Sequence, residues 1–187
     1  GIERDKIRVY FFSGLVGYGW IFPSREGFVH LGAGGFGDVG FLRERVYSLA
    51  RQVEAEIVSL SGAPVAAGGL SLPDRGEFVV GEALGAVMPF TGEGIRPGFL
   101  FARTLYHSLV EGKSFKRLLD EYGLTFNIAL QLRIVRFLEK ASPEERRSLY
   151  LSAPIEVLKR VTAANLTRLE VAGLVARYPG FFKKLLW

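Results

Sequence analysis

One stretch, from Glu77 to His107, constrains the fold of this chain more than any other. It reads EFVVGEALGAVMPFTGEGIRPGFLFARTLYH. The short apolar run 78–80 has the length and β-branched character of a buried strand. Between positions 99 and 109 apolar residues recur at helical spacing. The stretch therefore predicts a strand, a glycine-rich loop and a helix. The helical stripe comprises Phe99, Ala102, Leu105, Tyr106 and Leu109, and the loop glycines are Gly81, Gly85, Gly92 and Gly94.

The loop in this stretch is a candidate ligand site. Glycines let backbone N–H groups approach an anionic or electron-rich ligand closely, and a helix beginning after the loop directs its positive end at that ligand. Pro97 falls in the predicted first turn, where a missing N–H leaves no hydrogen bond unmade. A glycine-rich loop alone is a weak signal, and an ordinary strand–loop–helix connection fits it equally well.

The order of residues makes this loop more specific. The segment GEALGAVMPFTGEGI resembles the second flavin-binding motif of the FAD-dependent oxidoreductases related to p-hydroxybenzoate hydroxylase. That motif has Gly-Asp at a strand end, then proline, then Gly-x-Gly opening a helix. The resemblance implies that the acidic residue holds the ribityl chain and that the loop faces the pyrimidine edge of the flavin. Glu82 replaces the usual Asp, so its reach differs. The implied FAD-binding residues are Gly81, Glu82, Pro89, Gly92, Gly94 and Ile95.

A second motif begins at Tyr18, where the sequence reads YGWIFPSREGFVHLGAG. Strand alternation places Tyr18, Trp20 and Phe22 on one face, and such a face is by itself more often core packing than a ligand wall. The order Tyr-x-Trp-x-Phe-Pro, then eight residues, then Gly-x-Gly resembles the substrate-domain motif of the geranylgeranyl reductase family, which belongs to the same flavoprotein superfamily. The resemblance implies substrate-binding roles for Tyr18, Trp20, Phe22, Pro23, Gly32 and Gly34.

The resemblance covers only the C-terminal part of the family's fold. We recognise no N-terminal dinucleotide-binding unit with a Gly-x-Gly-x-x-Gly fingerprint before residue 81, and the family's N-terminal cysteine motif is absent. The only methionine is Met88, so we expect a piece of a longer chain. The expected class is α+β or α/β, the C-terminal half of a p-hydroxybenzoate hydroxylase-like FAD fold. Residues 1–73 would belong to the substrate domain, 74–112 to the returning FAD segment and 113–187 to a helical region.

Hydrophobic patterning predicts the remaining elements. Strands are expected at 7–12, 18–22, 28–31 and 68–73, with a flexible glycine passage at 32–40. A helix is expected at 41–60, and further helices at 126–140, from 142, from 153 and at 165–177. The apolar and basic tail 181–187 fits either a membrane interface or docking on the protein's own core.

Composition limits the chemistry. Without cysteine the chain has no disulfide, thiolate metal site or cysteine nucleophile. His30 and His107 have no ligand partner at metal spacing, so we expect no metal site. Residues 1–97 carry a net charge of −2 and residues 98–187 a net charge of +7. This basic half could face phosphate or an anionic membrane, but its scattered charges equally fit solvated helix faces, and no nucleic-acid partner is expected.

The implied function is reduction of geranylgeranyl double bonds by an FAD-dependent enzyme of membrane lipid biosynthesis. FAD is the implied cofactor, with NAD(P)H and ferredoxin both open as electron donors, and no residue is assigned as catalytic. The implied partner is a prenyl lipid and the implied location the cytoplasm, with peripheral contact at the inner membrane face left open. Two rivals remain: another monooxygenase or dehydrogenase of the superfamily, and a non-enzymatic lipid- or partner-binding fragment.

Overall fold

The computed structural model describes residues 6–24, 27–72 and 79–186, with side chains to residue 183. These ranges contain three strands in one antiparallel sheet and eight α-helices, which confirms the α+β class. The FAD fold itself stays a prediction. The strands are β1 (Arg8–Phe11), β2 (Val16–Pro23) and β3 (Val29–Phe36). The helices are α1 (Val39–Gln52), α2 (Ile95–Glu111), α3 (Phe115–Glu121), α4 (Leu124–Lys140), α5 (Pro143–Ser152), α6 (Ile155–Ala163), α7 (Arg168–Arg177) and α8 (Pro179–Leu186).

The chain divides into two compact units. Unit 1 consists of Gly1–Ala63 and Leu138–Leu151, and contains the sheet, α1 and nearly all of α5. Unit 2 consists of Pro64–Phe137 and Ser152–Trp187, and contains the glycine-rich loop and the other helices. The functional division at residues 73 and 112 stays a prediction.

Unit 1 is built on the sheet, whose strand order is β1-β2-β3. Alternation along β2 sends Gly19 and Ile21 to one face and Tyr18, Trp20 and Phe22 to the other. Helix α1 packs on the first face, where Ile21 is fully buried. A Cβ on Gly19 would lie 2.7 Å from a methyl carbon of Leu49, so glycine at this position lets α1 approach the strand closely.

The predicted flexible passage at 32–40 is wrong, because β3 continues to Phe36. Its glycines pair in register with β2, Gly32 opposite Trp20 and Gly34 opposite Tyr18. A run of glycines lowers strand propensity, which is why the pattern favoured a loop. Here the missing side chains instead make room for the large residues of the neighbouring strand.

Residues 32–37 also have the spacing Gly-x-Gly-x-x-Gly, so the expectation that no such spacing precedes residue 81 needs correction. In a dinucleotide-binding unit these glycines form the turn between a parallel strand and a helix. Here residues 32–36 belong to an antiparallel strand whose backbone bonds to β2. The segment is therefore not a phosphate-binding turn.

Two further predicted elements differ in the structure. Helix α1 ends at Gln52 instead of residue 60. Beyond it Val58 and Leu60 are exposed, so the continued apolar pattern has no surface to pack on, and packing supplies most helix stability. Residues 68–72 of the predicted strand 68–73 form no strand, although the Ser71 N–H donates to the Leu84 carbonyl at 2.9 Å. Position 73 lies outside the described residues.

The predicted C-terminal helices are confirmed as α4, α5, α6 and α7, with ends shifted by a few residues. Capping explains two of the starts. The Ser142 hydroxyl accepts from the Glu145 N–H while the Glu145 carboxylate accepts from the Ser142 N–H, and Thr167 and Glu170 repeat this exchange. These backbone hydrogen bonds hold the pKa of both carboxyl groups below the usual range.

The described residues of unit 2 form two apolar clusters. The first surrounds Met88 and Phe101, and comprises Leu84, Ala86, Met88, Phe101, Leu119, Leu124, Ile128 and Ala164. The second comprises Val157, Val161, Leu166 and Leu174. Phe181 and Phe182 of the tail pack against the second cluster, so docking on the protein's own core is the observed alternative for these two residues.

Two buried amides on α4 join the surrounding segments of unit 2. Asn127 exchanges two hydrogen bonds with the backbone of Leu166, each 3.0 Å long. One turn later Gln131 accepts from the Phe90 N–H at 3.0 Å and donates to the Val161 carbonyl at 2.8 Å. Residues four apart on a helix face the same side, so both amides satisfy backbone groups of the segments that pack against this side of α4.

We predict that Gly85→Ala destabilises unit 2 far more than Gly112→Ala. Both glycines have positive φ, 72° and 64°, which costs alanine about 1–2 kcal/mol. A Cβ on Gly85 would also lie 2.0 Å from the Gly69 carbonyl oxygen, whereas Gly112 has open space. Overpacking adds about 1–3 kcal/mol at Gly85.

The measurement is urea unfolding of both variants beside the wild type. Gly112→Ala is the matched control, since it shares the backbone strain without the clash. Equal midpoints for the two variants would contradict the prediction.

Candidate functional site

The glycine-rich loop begins without the predicted strand. Val79 and Val80 are described but form no strand, and position 78 lies outside the described residues. A strand requires a hydrogen-bonded neighbour, and no described segment pairs with these two residues. They pack instead against the cluster around Met88 and Phe101. A single 3₁₀ turn, Gly81–Leu84, follows.

The tip of the loop is a short hairpin-like turn. The Met88 N–H donates to the Glu93 carbonyl at 2.9 Å, and the Gly92 N–H donates to the Met88 carbonyl at 2.8 Å. Gly92 has φ of 69°, a conformation that glycine adopts without strain. Pro89 is buried within the turn. The predicted residues Pro89, Gly92 and Gly94 therefore lie together, immediately before α2.

Helix α2 begins at Ile95, so Pro97 lies in its first turn as predicted, and Gly94 is its cap residue. The first helical bond runs from the Gly98 N–H to the Gly94 carbonyl at 2.9 Å. Pro97 is thus the third helical residue and still lies among those that need no intrahelical donor. The N–H groups of Gly94, Ile95 and Arg96 have no hydrogen-bond partner among the described residues.

These three N–H groups suit a ligand with partial negative charge. The first turn of α2 contains no acidic residue, so no side chain there offsets the positive end of the helix dipole. Glu93 lies just before the helix, but its carboxylate accepts hydrogen bonds from two nitrogens of the Arg96 guanidinium, each at 2.9 Å. Ile95 is 79% exposed and borders the same position. The residues present therefore fit the electron-rich edge of a flavin.

The Glu82 carboxylate already accepts a hydrogen bond from the backbone of this chain. Its Oε1 atom accepts a hydrogen bond from the Ala66 N–H at 2.9 Å. A carboxylate has further acceptor positions, so Glu82 can hold the 64–66 segment and still accept from a ligand hydroxyl. Gly81 adopts φ of 67° and lies against α2, where its Cβ position would be 4.0 Å from the Gly98 Cα atom.

The predicted apolar stripe of α2 is not its buried side. Pro97, Phe101 and Thr104 are the buried residues of this helix. Phe99 and Tyr106 are exposed instead, as are Leu109 and Val110. The segment is helical, as its periodicity predicts, but the sequence contains two apolar faces on α2, and the periodicity does not distinguish the buried one.

In unit 1 the structure brings the predicted aromatic residues together on one face of the sheet. The ring centroids of Tyr18 and Trp20 are 5.8 Å apart, and those of Trp20 and Phe22 are 6.2 Å apart. Phe11 of β1 extends the row at 6.5 Å from Tyr18, and Tyr150 of α5 stacks on Phe11 at 5.0 Å. We call Phe11, Tyr18, Trp20 and Phe22 the aromatic platform.

Two glycines of β3 lie under the indole ring of Trp20. A Cβ on Gly32 would lie 2.3 Å from Cζ2 of the indole, and a Cβ on Gly34 would lie 3.6 Å from Cζ3. The indole therefore lies across the backbone of β3, which only glycine at 32 permits. Pro23 is the exception among the predicted residues, because alternation places it on the opposite face from Trp20.

The Tyr18 hydroxyl is not suited to deliver a proton. Burial raises the pKa of Tyr18 above its ordinary value, and burial does the same for Tyr150. A general acid works best when its pKa lies near the operating pH. Both phenols stay protonated at neutral pH, so they can pack and donate hydrogen bonds. No catalytic acid is therefore assigned to the aromatic platform.

Three residues that position the loop were missed from the sequence. Gly98 allows close approach of the Gly81 segment, and a glycine inside a helix was the available signal. Arg96 binds Glu93 and also donates to the Ala163 carbonyl at 3.2 Å. Gln131 lies 41 positions along the chain from Phe90, the loop residue that it contacts. Nothing local in sequence indicates such a contact, because it depends on tertiary packing.

Other site types find no support in the described ranges. Among these residues no group of three or more His, Cys, Asp or Glu side chains is arranged to hold a metal ion. Every helix there is too short or too polar to span a lipid bilayer. A surface groove of about 820 Å³ lies beside α4 and α7, lined in part by Phe126, Arg133 and Arg168. None of the predicted site residues lines it.

The chain is similar to menaquinone reductases. The menaquinone reductase of Mycobacterium tuberculosis, in two strains, is 29% identical over 156 residues, which cover 72% of this chain and 38% of the relative. That of Mycolicibacterium smegmatis is 27% identical over 189 residues, covering 87% of this chain and 45% of the relative. The chain thus spans less than half the length of these relatives. No protein-family model and no solved structure matches.

We predict that Gly32→Ala displaces the Trp20 indole, whereas Gly34→Ala does not. The added methyl group would overlap the ring at position 32 but make ordinary contact at position 34. Since the chain has two tryptophans, Trp20 and Trp187, the measurement is fluorescence in a Trp187→Phe background. Gly32→Ala should shift Trp20 emission to longer wavelength. The same spectrum for both glycine variants would show that the indole does not rest on Gly32.

Proposed function

We propose that this chain is part of an FAD-dependent reductase that saturates C=C bonds in isoprenoid chains of the geranylgeranyl type, on a prenyl lipid. The observation that carries the flavin assignment is the set of three N–H groups at Gly94, Ile95 and Arg96 without partners among the described residues. They follow a turn whose sequence resembles a flavin-binding motif. FAD would supply the electrons of the reduction, and its donor, NAD(P)H or ferredoxin, is undecided.

The named relatives support a substrate of this class. Menaquinone consists of a naphthoquinone ring with a polyprenyl tail, so an enzyme that acts on it must accommodate an extended apolar chain. The aromatic platform offers a row of rings to such a chain, and apolar and aromatic walls are typical of sites for apolar ligands. Peripheral contact with the membrane at its cytoplasmic face follows from the substrate and is part of the proposal.

The chain's own residues would bind and orient in this reaction. Backbone donors at the start of α2 would stabilise negative charge at the pyrimidine edge of the cofactor, because preorganised N–H groups need no rearrangement when charge develops. Glu82 would accept from the ribityl chain. The dinucleotide-binding half would be supplied from outside these residues, and we propose that it provides the missing strand partner of Val79 and Val80.

A second function is reduction of the quinone ring, which the name menaquinone reductase also fits. Ring reduction requires a quinone head close to the flavin, whereas tail saturation requires a prenyl double bond there. Hydroxylation by a related monooxygenase is a third possibility within the superfamily. A non-enzymatic lipid-binding fragment would carry no flavin at all.

The deciding experiment uses the full-length protein with bound FAD, reduced by dithionite without oxygen and given menaquinone. After readmission of air the extracted lipid is analysed by mass spectrometry and ultraviolet absorption. Tail saturation predicts a lasting gain of two hydrogen atoms with an unchanged naphthoquinone spectrum. A reduced ring returns to the quinone in air, so ring reduction is measured before air is admitted, with excess dithionite removed, as a loss of naphthoquinone absorbance that requires the protein. The starting mass without such a loss would contradict both reactions. Addition of oxygen would favour the monooxygenase, and absence of FAD from the purified protein would refute the proposal.

We predict that Gly94→Val lowers the flavin midpoint potential. Gly94 has φ of −115°, which valine tolerates, and its Cβ would make an ordinary contact of 3.5 Å with Val87. The chain should therefore fold, while the new side chain separates the flavin edge from the N–H donors. A hydrogen bond to a charged group contributes roughly 1.5–3 kcal/mol, and about 1.4 kcal/mol corresponds to 30 mV for two electrons.

The measurement is a redox titration at matched FAD occupancy, with an expected drop of about 30 mV or more. Gly68→Val is the control, because it adds the same side chain in open space. A potential equal to that of the control would show that the start of α2 does not stabilise reduced flavin.

We predict that Trp20→Ala weakens use of long prenyl substrates and leaves FAD content unchanged. Losing the contact of a large apolar side chain costs about 1.5–3 kcal/mol, roughly a tenfold to hundredfold fall in kcat/KM. Steady-state kinetics with long and short prenyl chains provide the measurement, and Trp20→Phe should retain most of the preference. Loss of FAD with unchanged substrate preference would assign Trp20 to the cofactor or the core.

A further inference from the structure

We propose that Gln131 is a positioning residue for the glycine-rich loop and couples this loop to helix α6. The proposal rests on the flavin role assigned to the loop above. Gln131 lies on α4, 1% exposed, in a region that the sequence motifs leave without a function. Its hydrogen bonds go to Phe90 and Val161 and not to the N–H groups at the start of α2, so it would act on those groups through the backbone of Phe90.

The hydrogen bonds of Gln131 fix the orientation of its amide. The Oε1 atom accepts from the Phe90 N–H at 3.0 Å, and the Nε2 atom donates to the Val161 carbonyl at 2.8 Å. Turning the amide over would place donor against donor and acceptor against acceptor. The bond to Val161 is buried and that to Phe90 is partly buried, and an unmade hydrogen bond in a buried site is costly. The side chain therefore holds one loop group and one α6 group at a fixed separation.

Because of its place in the loop, Phe90 transmits the restraint from Gln131 to the residues that follow it. It lies in the turn between Met88 and Gly92, whose backbone bond closes the turn at 2.8 Å. The bridge from Met88 to Glu93 then leads directly to Gly94 and the start of α2. A shift of Phe90 would therefore move the segment that presents the N–H groups of Gly94, Ile95 and Arg96.

A second contact joins the same two segments. Arg96 binds the Glu93 carboxylate through two donors and reaches the Ala163 carbonyl at the end of α6 at 3.2 Å. The loop is thus connected to α6 on both sides of Gly94, by Gln131 before it and by Arg96 after it. Two restraints on one short segment limit its movement more than either alone.

Asn127 provides a matched control on the same helix. It is also a buried amide, 2% exposed, and its hydrogen bonds go to Gly123 and Leu166. None of them goes to the loop. Replacing either amide removes buried hydrogen bonds on the same side of α4, but only the change at Gln131 should alter the loop.

The experiment compares Gln131→Met and Asn127→Leu by amide hydrogen exchange and by redox titration of the flavin-loaded protein. In Gln131→Met the Phe90 amide should exchange about tenfold faster, the factor for one lost hydrogen bond, and the midpoint potential should fall. Asn127→Leu should leave both unchanged, with faster exchange confined to Leu166. Urea unfolding of both variants measures their free energies of unfolding, so that a local change in exchange can be separated from a loss of global stability.

Gln131→Glu gives a second, reversible variant. A protonated carboxyl group has one acceptor and one donor and can reproduce both hydrogen bonds, whereas the ionised form cannot donate to Val161. The ionised carboxylate still accepts from the Phe90 N–H but repels the Val161 carbonyl, so the Phe90 amide should stay protected while the free energy of unfolding, relative to the wild type at the same pH, rises as the pH is lowered through the pKa of the new carboxyl group. Instability from another cause would not give this pH-dependent recovery.

The outcomes separate the two proposals. Unchanged exchange at Phe90 in Gln131→Met would overturn the positioning role, whatever the flavin does. Faster exchange with an unchanged potential would also overturn it, because the loop position would then not matter to the cofactor. A wild-type protein without FAD would refute the proposed function, while the exchange data would still decide whether Gln131 fixes the loop.

Discussion

The structure of unit 2 depends on two amide side chains buried on one side of α4. Asn127 and Gln131 satisfy backbone groups of Leu166, Val161 and Phe90, which belong to segments far apart in the sequence. A buried backbone group without a partner costs about 1–3 kcal/mol, so these segments have one favourable arrangement around the helix. Apolar packing alone tolerates sliding, whereas amide hydrogen bonds specify which residues meet.

Glycine has two different physical roles in the two units. At Gly32 and Gly19 in unit 1 it leaves space, so that an indole or a helix can approach a strand. At Gly85 and Gly92 in unit 2 it permits a left-handed backbone, which turns the chain tightly before α2. The same residue type thus creates a flat aromatic surface in one unit and a compact loop in the other.

The elements with strong local patterns were predictable, and those that depend on partners were not. The hairpin of β2 and β3 and the helices α4 to α7 follow from alternation, periodicity and capping residues. The extension of β3 through its glycines does not, because it depends on pairing with β2, where the Trp20 ring lies over Gly32. The end of α1 does not either, because Val58 beyond it has no surface on which to pack. The positions of Gly92 and Gly94 in one loop were predictable. The contact of that loop with Gln131 was not, since no local rule relates them, and the roles of the site residues stay predictions.

Helix α2 has a consequence for handling the protein in solution. Its outer side presents Phe99, Tyr106, Leu109 and Val110 to water. Apolar groups that meet release ordered water, and this attraction strengthens on warming from low temperature. Preparations of this chain should therefore self-associate as concentration and temperature rise, and light scattering should fall on dilution in the cold. A helix that is stable within its own unit can in this way determine the colloidal behaviour of the whole sample.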